Sequence, residues 1–152
     1  MCQNRAKKHL KMSFSQQIIS FAKYASHHHV IFCREVIPEL TFVNVGLELS
    51  DKILKEGLDS PMLDFATDDF IQEIMSRHES HPEIGNYLAL TNIGILFEPS
   101  LSYNIPELFK SHSRNKILFI HTQAVIKDDV LYFNNPSDNI TAELSGVHYI
   151  IV

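Results

Sequence analysis

Tyr87-Leu-Ala-Leu-Thr91 and Lys116-Ile-Leu-Phe-Ile-His121 are nearly continuous apolar runs of strand length. A strand with one wet face alternates apolar and polar residues, whereas a strand covered on both faces does not. The two runs therefore predict the adjacent central pair of a sheet buried on both sides. Val30-Ile-Phe-Cys33 is a third run of this kind. Helix signals alternate with strand signals around them. That pattern predicts an α/β fold of three layers, with a mixed, mainly parallel sheet of about five strands.

Working outward, Phe14–Ser26 carries Ile18, Ile19, Phe21, Ala22 and Ala25 near helical spacing, with Ser13 as its cap. Thr41–Val45 is β-branched and aromatic enough for a second strand. Ser50 is placed to cap a short helix, Asp51–Glu56, that Gly57 ends. A longer helix is predicted from Ser60 or Pro61 to about Glu79, with Met62, Phe65, Phe70, Ile71, Ile74 and Met75 inward. Asn92–Phe97 continues apolar. Pro106 suits the first turn of a helix that holds Leu108 and Phe109 inside. Lys127-Asp-Asp129 predicts a tight turn between Val125-Ile126 and Val130–Phe133.

Two spacings need a decision. About seven residues separate the first and second strands, while a parallel crossover takes a dozen or more. Those strands either pair antiparallel or are joined by an extended link that crosses the sheet without a helix. The last apolar run, Val147–Val152, is expected inside the sheet beside Val30–Cys33. At an edge it would invite a symmetric strand-to-strand dimer, so monomer and homodimer both stay open.

The chain has 152 residues and a formal charge of −5. Residues 13–152 read as a single α/β domain, preceded by a basic arm, residues 1–12, with Arg5, Lys7, Lys8 and Lys11. Met12 is as good a start as Met1. The acidic balance argues against coating nucleic acid by charge, except through that arm. No run approaches a membrane span. Cys2 and Cys33 make neither a metal pair nor a disulfide framework, which predicts a reduced, cytoplasmic setting.

A phosphate loop needs glycines after the first strand, so that backbone N–H groups can wrap a phosphate, followed by Lys and Ser/Thr. Here Val30–Cys33 is followed by Arg34-Glu-Val-Ile-Pro-Glu-Leu40, and the earliest of five glycines is Gly46. In open α/β sheets ligands sit beyond the carboxyl ends of the strands. That places Arg34, Thr91, Asn92 and His121, with Cys33 and Thr122, around the crevice. One firm positive charge and no carboxylate make it a poor metal–phosphate site. Ser113, Arg114 and Asn115 fall at the opposite end, where they cap a turn or contact a protein partner. His27-His-His29 is read as a solvated turn. His78 and His81 have a helical metal-ligand spacing, but Pro82 ends the helix and no third ligand is marked. Cys33 with His121 is a conceivable nucleophile and base.

From Phe42 onward the order of features resembles BrxF, the small P-loop protein of BREX phage-defence systems. The resemblance is carried by Phe42-Val-Asn-Val-Gly-Leu-Glu-Leu-Ser50, by Asn92-Ile-Gly-Ile-Leu-Phe-Glu-Pro-Ser-Leu101 and by Ser113-Arg-Asn115 before a strand. It covers roughly Phe14 to Phe133. That family has Asp-Asn-Ile-Glu before its Leu-Phe pair; here Thr91 and Gly94 stand where the two acids would be. The phosphate loop and its Lys are missing as well. The resemblance implies a P-loop-NTPase-like fold without a P-loop, and a defence context. The expectation is a non-catalytic accessory or scaffold protein that acts through protein contacts and takes no cofactor. The alternatives are an immunity or antitoxin-like protein, a weak nucleotide binder, and a small hydrolase using Cys33, His121 or His78/His81.

Overall fold

The computed structural model describes residues 14–25, 28–57, 59–98, 103–134 and 139–152. The basic segment 1–12, Ser13, Ser26 and His27 lie outside these residues. In chain order the elements are α1 (Gln16–Tyr24), β1 (Val30–Cys33), β2 (Phe42–Asn44), α2 (Val45–Glu56), α3 (Leu63–Ser76), β3 (Glu79–His81), β4 (Gly85–Thr91), a 3₁₀ turn (Gly94–Phe97), α4 (Ile105–His112), β5 (Ile117–His121), β6 (Val125–Lys127), β7 (Val130–Asn134), β8 (Asn139–Glu143) and β9 (Tyr149–Ile151).

Five strands run parallel in the order β2-β4-β5-β1-β9, and β3 joins β4 antiparallel. The two long apolar runs are adjacent, with Tyr87 to Leu90 in register with Ile117 to Ile120. Successive side chains of a strand point to opposite faces, so an unbroken apolar run supplies two cores at once. Val30, Phe32, Leu88, Leu90, Leu118 and Ile120 face α2, α3, α4 and the 3₁₀ turn; Ile31, Tyr87, Ala89, Ile117 and Phe119 face α1. One face therefore carries three helices and the other carries a single helix of nine residues. The antiparallel meander β6-β7-β8 adds Leu131 and Ala142 to the larger core. Asp128 and Asp129 both have positive φ, 52° and 60°, as a tight primed turn between β6 and β7 requires.

The short spacing after β1 resolves as an extended link. β2 is parallel to β1 and three strand positions away, roughly 14 Å at ~4.8 Å per strand. Phe42 is level with Ala89, Ala89 with Phe119, and Phe119 with Ile31. β2 thus starts at the height β1 has already reached, and the link need not run back the length of a strand. Residues 34–41 suffice, because ~3.3 Å per residue gives an ample reach. Ile37 and Leu40 of this link pack on the α1 face, where a crossover helix would otherwise lie.

Several expectations are corrected. Asn44, not Ser50, caps α2: its Oδ1 accepts from Leu47 N at 3.0 Å, and the helix opens directly off β2. Ser15 caps α1. α3 begins at Leu63, after Met62, and buries Thr67, Ile71, Ile74 and Met75; Phe65 lies on the side away from that stripe, so Met62 and Phe65 are 54% and 67% exposed rather than inward. It ends at Ser76, and Glu79–His81 is an edge strand instead of a last helical turn. β8 carried no strong sequence signal. β9 does pair with β1, but it is the edge of the sheet and not an interior strand.

Leu90 is fully buried in β4. Leu90→Asp should lower unfolding free energy by at least about 3 kcal/mol, because its carboxylate would find no partner there. Urea titration reads this, and a wild-type midpoint would remove β4 from the core.

Candidate functional site

Parallel strands end together, so β4, β5, β1 and β2 bring Thr91, His121, Cys33 and Asn44 to one border of the sheet. Strand parity puts Thr91, His121 and Cys33 on the α1 face, with Ala89, Phe119 and Ile31 two residues earlier. Thr91 Oγ1 and His121 Nδ1 are hydrogen-bonded at 2.8 Å, and the His121 ring meets Phe42 edge-on. Asn92 follows in the left-handed region, φ 55°. Its Nδ2 donates to Asn44 Oδ1 at 2.9 Å, and its carbonyl accepts from Gly46 N at 3.0 Å. A Cβ on Gly46 would run into the Asn92 side chain, so glycine there is a requirement of close approach.

The remaining crevice residues are also engaged. Arg34 Nη1 donates to the Ala124 carbonyl, Gln123 Nε2 donates to the Arg34 carbonyl, and Thr122 N donates to Cys33 O at 3.1 Å. Arg34, Thr91, Asn92 and His121 thus come to one border, as the strand ends predict. There they bond to one another's neighbours and to backbone. The arrangement ties β2, β4, β5 and β1 together and fixes the start of α2.

Cys33 is 1% exposed, and burial pushes its thiol up to about 11. Its neighbour across the ladder is His121, whose Nδ1 is turned to Thr91. A thiol held protonated is a poor nucleophile, since the thiolate does the attacking. His78 lies beyond α3 and His81 in β3, so the two do not share a helix face. His81 accepts from Glu83 N and packs edge-on against Phe14. No group of three or more His, Cys, Asp or Glu side chains suited to a metal occurs among the described residues.

At the opposite border Ser113 is fully buried. Its carbonyl accepts from His29 N at 3.0 Å and bonds His29 Nδ1 at 3.1 Å, which ties the end of α4 to the start of β1. Ser113 is a structural joint, with no surface to offer a partner. Arg114 and Asn115 are exposed and line a concavity of about 170 Å³ with Ala22 and Asn86.

A wide concavity was not foreseen. About 500 Å³ open beside the end of β1, between the start of α1 and the link, lined by Phe14, Ile18, Val36, Ile37, Pro38 and Val152. Cys33, Arg34, Glu35 and Glu39 also line it. Val36 is 51% exposed. The signal was present in the sequence: Val36-Ile-Pro38 is an apolar triplet between two acids, in a link too short for a helix.

No helix among the described residues is long and apolar enough to cross a membrane. No family model, curated protein or solved structure matches the chain.

Two outcomes follow from this geometry. Gly46→Ala should cost about 1–3 kcal/mol in a denaturant titration, as overpacking does, and Asn92→Gly should recover part of that cost in the double variant. In a Cys2→Ser background at pH 8, native Cys33 should react with iodoacetamide at least roughly 100-fold more slowly than unfolded chain. Equal rates would contradict the buried thiol.

Proposed function

We propose that this chain is a non-catalytic, P-loop-derived α/β protein that works through protein contacts, as an accessory component of a bacterial anti-phage system. One observation carries the reading. The segment after β1, where a nucleotide-binding relative would wrap a phosphate, instead supplies Val36, Ile37 and Pro38 to an apolar groove. Backbone donors converging on an anion would serve a nucleotide; a groove lined mainly by apolar side chains suits an apolar side chain presented by a partner. The sequence resemblance supports the defence context. The late strand β9 beside β1 agrees with the fold that the resemblance implies.

Phosphoryl transfer needs a metal ion and groups that hold it against the phosphates. Thr91 and Gly94 stand where the resemblance would put acids, and Thr91 Oγ1 is bonded to His121. Arg34, the one firm cation at this border, bonds the Ala124 carbonyl. These residues brace the sheet border and leave recognition to the groove.

The net charge of −5 favours a second reading, an immunity-like protein that masks a basic toxin. Both readings place recognition on a protein partner, and toxicity of the neighbouring gene product alone separates them.

Titration with ATP at millimolar Mg²⁺ should give no saturable binding; a Kd below about 100 µM would overturn the proposal. In co-expression with the products of neighbouring genes, Val36→Arg should fold normally and lose the co-purifying partner. Retention of the partner by that variant would remove the groove from the contact.

A further inference from the structure

The two edges of the sheet are built differently. On the far side of β4 the edge is divided between β2 and β3, three residues each, and β3 begins with Glu79. Short, charged strands of this kind blunt an edge against pairing. The β9 edge has no such guard: from Leu144 to Val152 the chain contains no Asp, Glu, Lys or Arg.

The hydrogen-bond pattern says which groups this edge presents. His148 O accepts from Val30 N, Val152 N donates to Phe32 O, and Val152 O accepts from Arg34 N. The even-numbered residues therefore spend their backbone groups on β1. The N–H and C=O of Tyr149 and Ile151 point the other way, and no described strand pairs with them.

We propose that β9 pairs antiparallel with β9 of a second copy of this chain, about a two-fold axis at Ile150. The strand is self-complementary in this register. Tyr149 and Ile151 are the outward-facing residues, and the axis sets Tyr149 of one copy opposite Ile151 of the other. Each such pair exchanges two backbone hydrogen bonds, four in all, and leaves Ile150 opposite its own counterpart in the closer, non-bonded position. Side chains match as well. Ile151, 38% exposed, meets the Tyr149 ring of the other copy, an aromatic and β-branched pair of the stabilising kind. Tyr149 is already held for this contact, its ring edge-on to Phe32 at 5.6 Å and its hydroxyl donating to Asp129 at 2.6 Å. On the α1 face Ile150 meets Ile150, and Val152 meets His148. No charge is buried and none is opposed. A self-complementary patch meeting itself is the isologous contact that two-fold dimers use. The pairing continues the parallel sheet across the axis and leaves the far edges of both copies blunt, so assembly closes at two.

Sedimentation velocity of the full chain at about 100 µM, above the micromolar range of the weaker standard interfaces, should give twice the chain mass of 17.4 kDa. A monomer at that concentration overturns the proposal, whether the edge is open or covered by another part of the same chain. Ile151→Pro removes an N–H that points away from β1, so the internal ladder survives and the pairing does not. That variant should keep the wild-type circular dichroism and sediment as a monomer. Ile151→Lys, which places a charge opposite Tyr149 of the other copy, should do the same and stands in if the proline variant fails to fold. A folded variant of either kind that remains dimeric refutes the strand contact. The register has its own readout. With Cys2→Ser and diamide as oxidant, Ile150→Cys should form a disulfide-linked dimer. Val152→Cys should not, because its two copies would lie roughly 14 Å apart at ~3.4 Å per residue, beyond the reach of a disulfide. Cross-linking of Val152→Cys instead of Ile150→Cys overturns the two-fold at Ile150.

Discussion

Parallel pairing of β4, β5 and β1 in level register sets the position of almost everything else. Ala89, Phe119 and Ile31 share one height, and so do Leu90, Ile120 and Phe32. All six are buried to 1% exposure or less. Because the strands run the same way, their last residues arrive together, and polar side chains accumulate along one border. Because each strand feeds both faces, each face needs a cover. α2, α3, α4 and the meander cover one side. Among the described residues, the other has α1 and the link after β1.

That asymmetry starts in the link itself. Eight residues carry the chain across two intervening strands, and because β2 starts level with Ile31, a height β1 has already reached, this needs no helix. Leu40 and Ile37 then act as a thin substitute for a helical layer. Thin cover leaves space, and the space is the groove of about 500 Å³. The polar border meanwhile closes on itself. Thr91 with His121, Asn92 with Asn44, and Arg34 with the Ala124 carbonyl bond groups that a ligand would otherwise contact.

The central architecture was legible because burial on two faces leaves a mark that one strand carries alone: an apolar run with no alternation. Leu88 to Leu90 and Ile117 to Ile120 carry that mark, and their adjacency followed. Edges carry no such mark. β2, β3 and β9 are three residues each; composition marks Thr41–Val45 and Val147–Val152 as strands but not Glu79–His81, which pairing alone holds. Glu79-Ser-His81 reads as a helix end until β4 is there to bond it. Met62 and Phe65 are apolar like the buried stripe, yet Met62 precedes α3 and Phe65 lies on the side away from Thr67, Ile71 and Ile74. Asn44 was hidden as a cap because it is also the last residue of a strand. The crevice residues were found from strand ends alone, but their mutual bonds depend on register, which no local pattern reports. Likewise Val36-Ile-Pro38 could be seen as apolar but not as a wall, since its facing residues, Phe14 and Ile18, come from α1.

Groove and open edge share one residue, Val152. A helix after β1 would lie over the flank that α1 and the link now cover, and would fill the groove. Both features expose an apolar side chain. Val36 lies in a short link rich in acids, and Ile151 lies in a strand with none. Each places an apolar side chain where a solvated surface would select a charge. The groove is then a consequence of one structural feature, an extended link where a crossover helix would otherwise lie.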